Sequence, residues 1–122
     1  MPANPSSPYG ASKLAVEGYL SAFLGSYDMK SISLRFSNIY GPHSLNKSSA
    51  VAAFLKDIVR NKRITIYGDG TQTRDYLYVK DLAQGISHAI ECGKAGVYQL
   101  GSGKPTSIND LVDILANVLG DD

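Results

Sequence analysis

Apolar positions along this 122-residue chain recur in two rhythms, one helical and one alternating. After Pro8, residues Tyr9, Lys13, Val16, Leu20, Phe23 and Tyr27 fall three and four apart, which predicts one face of a helix running to about Leu24. Pro8 suits the first turn of that helix, where no backbone N–H is needed. Ala11, Ala15, Gly18 and Ala22 form a second stripe, of small residues. Such a stripe lets another helix approach closely, from the same chain or from a second subunit. Residues 32–36 alternate, with Ile32, Leu34 and Phe36 opposed to Ser33 and Arg35, and read as a strand ended by the Gly41-Pro42 turn. A helix from about Ser49 to Arg60 is expected to bury Val51, Phe54, Leu55, Ile58 and Val59. The segments 64–67 (ITIY), 75–79 (DYLYV) and 97–101 (VYQLG) read as short extended pieces. A helix over 80–92 would bury Leu82, Ala83, Ile86 and Ile90. A last helix starts at Ser107, with Asp110 three residues on as a variant of the capping box, and would bury Leu111, Val112, Leu115, Val118 and Leu119.

Alternating helices and strands argue an α/β fold with partly parallel pairing. The length suggests one domain, and no repeat, low-complexity tract or linker marks a boundary inside residues 1–122. The chain is 43% hydrophobic and 19% charged with a net charge of +1, so no global field directs it to nucleic acid or a membrane surface. The run RNKR at 60–63 falls at a helix end, where cations suit the dipole. A single cysteine, Cys92, excludes an internal disulfide. No apolar run reaches membrane-spanning length, and the opening MPANPSSP lacks the basic and apolar regions of a signal peptide, so a cytoplasmic protein is expected. His43, His88 and one cysteine do not make a metal site.

Candidate chemistry begins with Tyr9 and Lys13, which share a helix face at i and i+4. A free phenol titrates near ~10, and a neighbouring ammonium favours the phenolate. Such a pair could take a proton from a substrate hydroxyl, but tyrosine and lysine also meet at this spacing on many ordinary helices. The later segments add context. SPYGASKLAVEGY is followed by LRFSNIYGPH, then ITIYGDGTQTRDYLYVKDLAQGI, then VYQLGSGKPTSINDLV. In this order, and over nearly the whole chain, they resemble the nucleotide-sugar epimerases and dehydratases of the extended short-chain dehydrogenase/reductase family.

The resemblance implies a partial Rossmann-like fold, its C-terminal half with the substrate-binding subdomain. It implies NAD as cofactor and a nucleotide-diphosphate sugar as substrate. Tyr9 then corresponds to the catalytic tyrosine and Lys13 to the lysine on the cofactor ribose. Both would be catalytic and cofactor-binding. Phe36 and Ser37 correspond to the strand end beside the nicotinamide. Substrate would be held by Asn38 at the diphosphate, by Ser48 and Ser49 at the start of the next helix, by Thr65, Ile66 and Tyr67 around the base, and by Arg74 on the diphosphate. These residue types suit an anion: arginine offers a planar fork, and a helix N-terminus offers free N–H groups. Asn38 also suits a turn, and Arg74 beside Asp75 also allows a surface ion pair. The family commonly has proline near position 52, where this chain has Ala52.

No G-x-G-x-x-G occurs: Gly68 and Gly70 lead to Thr73, and Gly101 and Gly103 lead to Thr106. GSGK at 101–104 is not a P-loop, because Tyr98 and Pro105 stand where glycine and Ser/Thr belong. The expectation is therefore a fragment without the dinucleotide-binding half. In the complete protein it would serve a UDP-glucose-type 4-epimerase, with a 4,6-dehydratase as the near alternative. Alone it would be an inactive remnant or interaction module that at most binds a nucleotide sugar. The strand at 32–36 would have open edges, so a homo-oligomer, a dimer or a domain-swapped form, is expected.

Overall fold

The structure, a computed structural model, describes residues 4–44, 46–61 and 63–120. It is α/β, with the order α1 (Pro8–Tyr27), β1 (Ile32–Phe36), β2 (Asn38–Tyr40), α2 (Ala50–Asn61), β3 (Thr73–Tyr78), α3 (Val79–Cys92), β4 (Gly96–Leu100), β5 (Pro105–Ser107) and α4 (Ile108–Leu119). The chain divides into two compact units where the sequence marks no linker. One takes residues through Arg35 with Gly85–Gln99; the other takes Phe36–Gln84 with residues from Leu100 on. The division escapes sequence reading because the chain passes from one unit to the other inside β1, α3 and β4, without a Gly- or Pro-rich joint.

In the first unit β1 pairs with β4 in a two-stranded sheet. α1 is begun by Ser7, whose Oγ accepts the Gly10 N–H at 3.1 Å, and by Pro8 in the first turn. It runs to Tyr27, one turn past the expected end, and stops at Asp28 in the left-handed region at φ 51°. No α1 side chain is buried. The half-covered positions are Gly10, Leu14, Glu17, Leu20 and Leu24, while Tyr9, Val16, Phe23 and Tyr27 stay exposed. The predicted stripe is thus mostly not the covered face. The helix carries apolar residues on more than one side, and periodicity alone does not say which side meets the sheet.

The second unit holds every buried hydrophobic residue among those described: Val51, Ala52, Phe54, Leu77, Ile108 and Leu111. Gly70, also buried, supplies the carbonyl that accepts the Asn109 N–H at 3.1 Å. β2 and β3 are parallel, in register Asn38 to Tyr76, and are joined through α2. β5 closes the sheet antiparallel to β3. Val51 and Phe54 of α2 pack on Ile108 and Leu111 of α4, with Leu55, Ile64, Ile66 and Leu115 around them. α4 opens with a complete capping box. Ser107 Oγ accepts the Asp110 N–H at 3.0 Å, and the Asp110 carboxylate accepts the Ser107 N–H at 3.2 Å.

Several expected burials fail at helix margins. Val59 is 83% exposed, and Ile90, Val118 and Leu119 are also exposed, as is Ala83. Each lies at the rim of its apolar stripe or in a last turn that runs past its packing partner. Residues 64–67 form no strand. Ile64 and Ile66 do turn toward the core while Thr65 and Tyr67 turn out, but no backbone pairs with them as a ladder. Two three-residue strands, β2 and β5, have too little sequence to be read from alternation. No helix among the described residues is long and apolar enough to cross a membrane.

Candidate functional site

The pairing of β2 with β3 sets up a site in the second unit. Side chains two apart on a strand share a face, so Arg74 and Tyr76 point to one side of β3. Asn38 lies beside Tyr76 in register and joins that side. The N-terminus of α2 completes the enclosure. Ser49 turns its carbonyl into the helix, accepting the Ala53 N–H at 2.8 Å. The first backbone N–H groups of α2 have no partner within the helix. The result is a cavity of about 270 Å³ lined by Asn38, Ser48, Ser49, Gln72, Arg74 and Tyr76, with Val51 and Ile108 at its apolar floor.

The cavity's polar groups are arranged for an acceptor-rich guest. Arg74 is exposed and spends one donor, Nη1, on its neighbour's Thr73 carbonyl at 2.8 Å, so the rest of its fork is available. The hydroxyls of Ser49 and Tyr76 are buried and lack a hydrogen-bond partner among the described residues. Buried hydroxyls ordinarily find one, so both are open to hydrogen-bond a ligand or water. Burial pushes the Tyr76 phenol upward against the opposing pull of Arg74, which keeps it a neutral O–H donor. A helix N-terminus, a guanidinium and unspent hydroxyls together favour a negatively charged oxygen cluster such as a phosphate.

Asp75 does not pair with Arg74. On the opposite face of β3 its carboxylate accepts the Ser102 N–H at 2.9 Å, the Ser102 hydroxyl at 2.7 Å and the Gly103 N–H at 3.1 Å. A Cβ at Gly101 would fall on this carboxylate, so any larger residue there would have to displace it. The Ser102 hydroxyl above all, then the Ser102 and Gly103 amides, hold the Asp75 carboxyl below its ordinary value. The stabilisation it supplies is complete above the unfolded value of about 3.9 and is lost as pH falls through the lower folded value. Thermal melts in steps from pH 6 to pH 2 are therefore expected to show a falling acid limb that is shallower in Asp75→Asn. An unchanged limb would contradict this role.

The other expected site residues distribute as follows. Tyr9 and Lys13 lie together on α1 in the first unit, both exposed, with Lys13 Nζ 5.4 Å from the Tyr9 ring centroid. Phe36 is about half exposed at the end of β1. The buried Ser37 hydroxyl has no well-formed hydrogen bond, though it leans on the Asp75 carboxylate. Of the substrate set, Asn38, Ser48, Ser49 and Arg74 converge on the cavity; Thr65, Ile66 and Tyr67 do not line it. Tyr67 is 84% exposed and gives its carbonyl to the Gln72 side chain at 3.4 Å. Gln72 and Tyr76 line the cavity and escaped the sequence reading. Tyr76 was within reach of it, standing two residues from Arg74 on the same strand face.

The pocket lies between a strand edge and a helix N-terminus of an α/β chain, and its lining is chemically suited to a phosphate-bearing ligand. Comparison with known proteins narrows this. The family description "NAD dependent epimerase/dehydratase family" matches residues 1–101, and the chain belongs to that family. It is 34% identical over 123 residues to the UDP-glucose 4-epimerase of Mycolicibacterium smegmatis, covering 98% of this chain and 39% of that protein. The structure of UDP-glucose 4-epimerase from Thermotoga maritima with UDP-glucose superposes with a TM-score of 0.89 at 36% identity, over 98% of this chain and 39% of the other. That of dTDP-glucose 4,6-dehydratase from Bacillus anthracis in complex with NAD superposes with a TM-score of 0.88 at 27% identity, over 99% and 39%. The chain thus spans about two fifths of the length of these relatives.

Proposed function

We propose that this chain is the later, C-terminal portion of an NAD-dependent nucleotide-sugar 4-epimerase, carrying the catalytic helix and the nucleotide-sugar pocket. The observation that carries this is the convergence of Asn38, Ser48, Ser49 and Arg74 on one cavity at the start of α2. In this reading Arg74 and the α2 N-terminus hold the diphosphate, and Asn38 hydrogen-bonds it from the β2 end. Thr65, Ile66 and Tyr67 lie outside the cavity and would meet the base through backbone groups beyond its rim.

Tyr9 and Lys13 suit the ribose side of a nicotinamide cofactor, since a phenol and an ammonium on one exposed helix face supply the donors such a ribose accepts. Phe36 and Ser37 would flank the nicotinamide. Bound NAD would supply reversible oxidation at the sugar C4. Tyr9 would take the proton from the C4 hydroxyl and later return it, with Lys13 holding the phenol's charge in check. The glycine-rich cradle for the pyrophosphate is not among these residues, so the complete enzyme would draw it from outside this chain.

A 4,6-dehydratase is the second reading, favoured by the likeness to dTDP-glucose 4,6-dehydratase over nearly all of this chain. Both readings share the pocket. For the 122 residues alone we infer nucleotide-sugar binding without turnover, and self-association through uncovered surface. The test is calorimetric titration of the chain with UDP, UDP-glucose and NAD, with epimerisation assayed in parallel. UDP is expected to bind with one-to-one stoichiometry and NAD far more weakly. Absence of UDP binding overturns the proposal.

A further inference from the structure

Tyr9, Lys13 and Glu17 stand at i, i+4 and i+8 on α1, so the three side chains follow one another along one face. Lys13 and Glu17 carry opposite charges one turn apart and would ordinarily pair. They do not. Both Glu17 oxygens are taken by Arg35 of β1: Nε donates to Oε1 at 2.7 Å and Nη2 to Oε2 at 2.6 Å. This is the one ion pair among the described residues. Lys13 leans the other way, over the Tyr9 ring. Lys13, Glu17 and Arg35 also line one cavity of about 310 Å³ with Gly10 and Leu14, so the three charged side chains border the same space.

The fork explains the choice of partner. A guanidinium meets a carboxylate through two parallel hydrogen bonds, while an ammonium meets it as a single point charge. Lysine placed N-terminal to glutamate is moreover the weaker order for an i, i+4 pair. The Arg35 side-chain hydrogen bond holds the Glu17 carboxyl below its ordinary value. Without Arg35 a glutamate is still ionised at neutral pH and would seek another cation.

We propose that Arg35 is a positioning residue that occupies Glu17 and thereby leaves the Lys13 ammonium free at Tyr9. Its weight for catalysis rests on the reading of Tyr9 and Lys13 above; the shielding of Lys13 does not. A plain tie between α1 and β1 would make Glu17 and Arg35 equivalent. Shielding makes them opposite. Loss of Arg35 frees Glu17 to capture Lys13, loss of Glu17 leaves Lys13 as it was, and loss of both restores it.

The experiment measures acylation of Lys13 by an N-hydroxysuccinimide ester in the full chain, read by mass spectrometry with the other lysines as internal references. Natural, Arg35→Gln, Glu17→Gln and doubly substituted chains are compared. Lys13 labelling is expected to fall by about 1.4- to 2.3-fold in Arg35→Gln, the factor an exposed i, i+4 ion pair supports, since a carboxylate partner stabilises the unreactive ammonium. It should be unchanged in Glu17→Gln and restored in the double variant. Equal labelling in all four, or parallel changes in both single variants without rescue, overturns the proposal. If Arg35→Gln does not fold, Arg35→Met serves: it keeps an unbranched apolar stem without the charge, so Glu17 is again left without its cation, the same drop is expected, and no drop overturns the proposal. UDP titration of the same chains separates this outcome from the fate of the phosphate pocket.

Discussion

Replacing Arg74 by alanine is expected to weaken UDP binding by about 10- to 150-fold, the equivalent of one lost charge-assisted hydrogen-bonding group at about 1.5–3 kcal/mol. Isothermal titration calorimetry of the two chains checks it. The loss should be in binding and not in folding. Arg74 is exposed, its one side-chain hydrogen bond among the described residues is to the adjacent Thr73 carbonyl, and its removal opens no cavity in the core. Melting temperatures of the two chains should therefore agree closely. Arg74→Lys should recover only part of the affinity, because an ammonium keeps the charge without the planar fork. Full affinity in Arg74→Ala would remove the guanidinium from the ligand's neighbourhood.

The second large effect is structural. Phe54 is 7% exposed and packs among Val51, Ile108 and Leu111. Phe54→Ala is expected to destabilise the second unit by about 3–5 kcal/mol, through lost burial plus the cavity left behind. A domain of ordinary stability has about 5–15 kcal/mol in total, so urea unfolding should show a large loss in midpoint. The site would suffer too. Val51 belongs both to this core and to the pocket lining, so loosening α2 displaces the helix start that faces the ligand. Val59→Ala, five residues along the same helix, is the control. At 83% exposure it should change stability by no more than about 0.5 kcal/mol.

That contrast shows where the sequence was legible. Signals that act within one turn were read well. The Ser107–Asp110 box is local chemistry, and it appears in full. Pro8 begins α1 as its fixed backbone angle requires. Signals that depend on what packs against an element were read poorly. The apolar rhythm of α2 includes Val59 as well as Val51, and only the position of α4 decides which is covered. The alternation of residues 64–67 survives as Ile64 and Ile66 facing in, but a strand also needs a backbone partner. The stripe from Tyr9 to Tyr27 was visible, yet the half-covered positions of α1 are Gly10, Leu14, Glu17, Leu20 and Leu24, of which the stripe contains only Leu20.

The site divides along the same line. Asn38, Ser48, Ser49 and Arg74 were singled out from motif order, and the fold brings them to one cavity although 36 positions separate Asn38 from Arg74. Spacing from Arg74 places Tyr76 on the same strand face, but its buried hydroxyl, without a partner among the described residues, is visible only in the fold. The role of Asp75 was missed for a related reason. Its partners Ser102 and Gly103 are 27 and 28 residues away in sequence, joined to it only by the folded chain.

The central claim is that the pocket at the start of α2 binds the diphosphate of a nucleotide. The most direct measurement is a titration of the isotope-labelled 122-residue chain with UDP, followed residue by residue by heteronuclear NMR. The account predicts saturable shifts centred on Asn38, Ser49, Ala50, Arg74 and Tyr76, absent when uridine without phosphate is added. Shifts centred elsewhere, equal shifts with uridine, or none with UDP at millimolar concentration would contradict it.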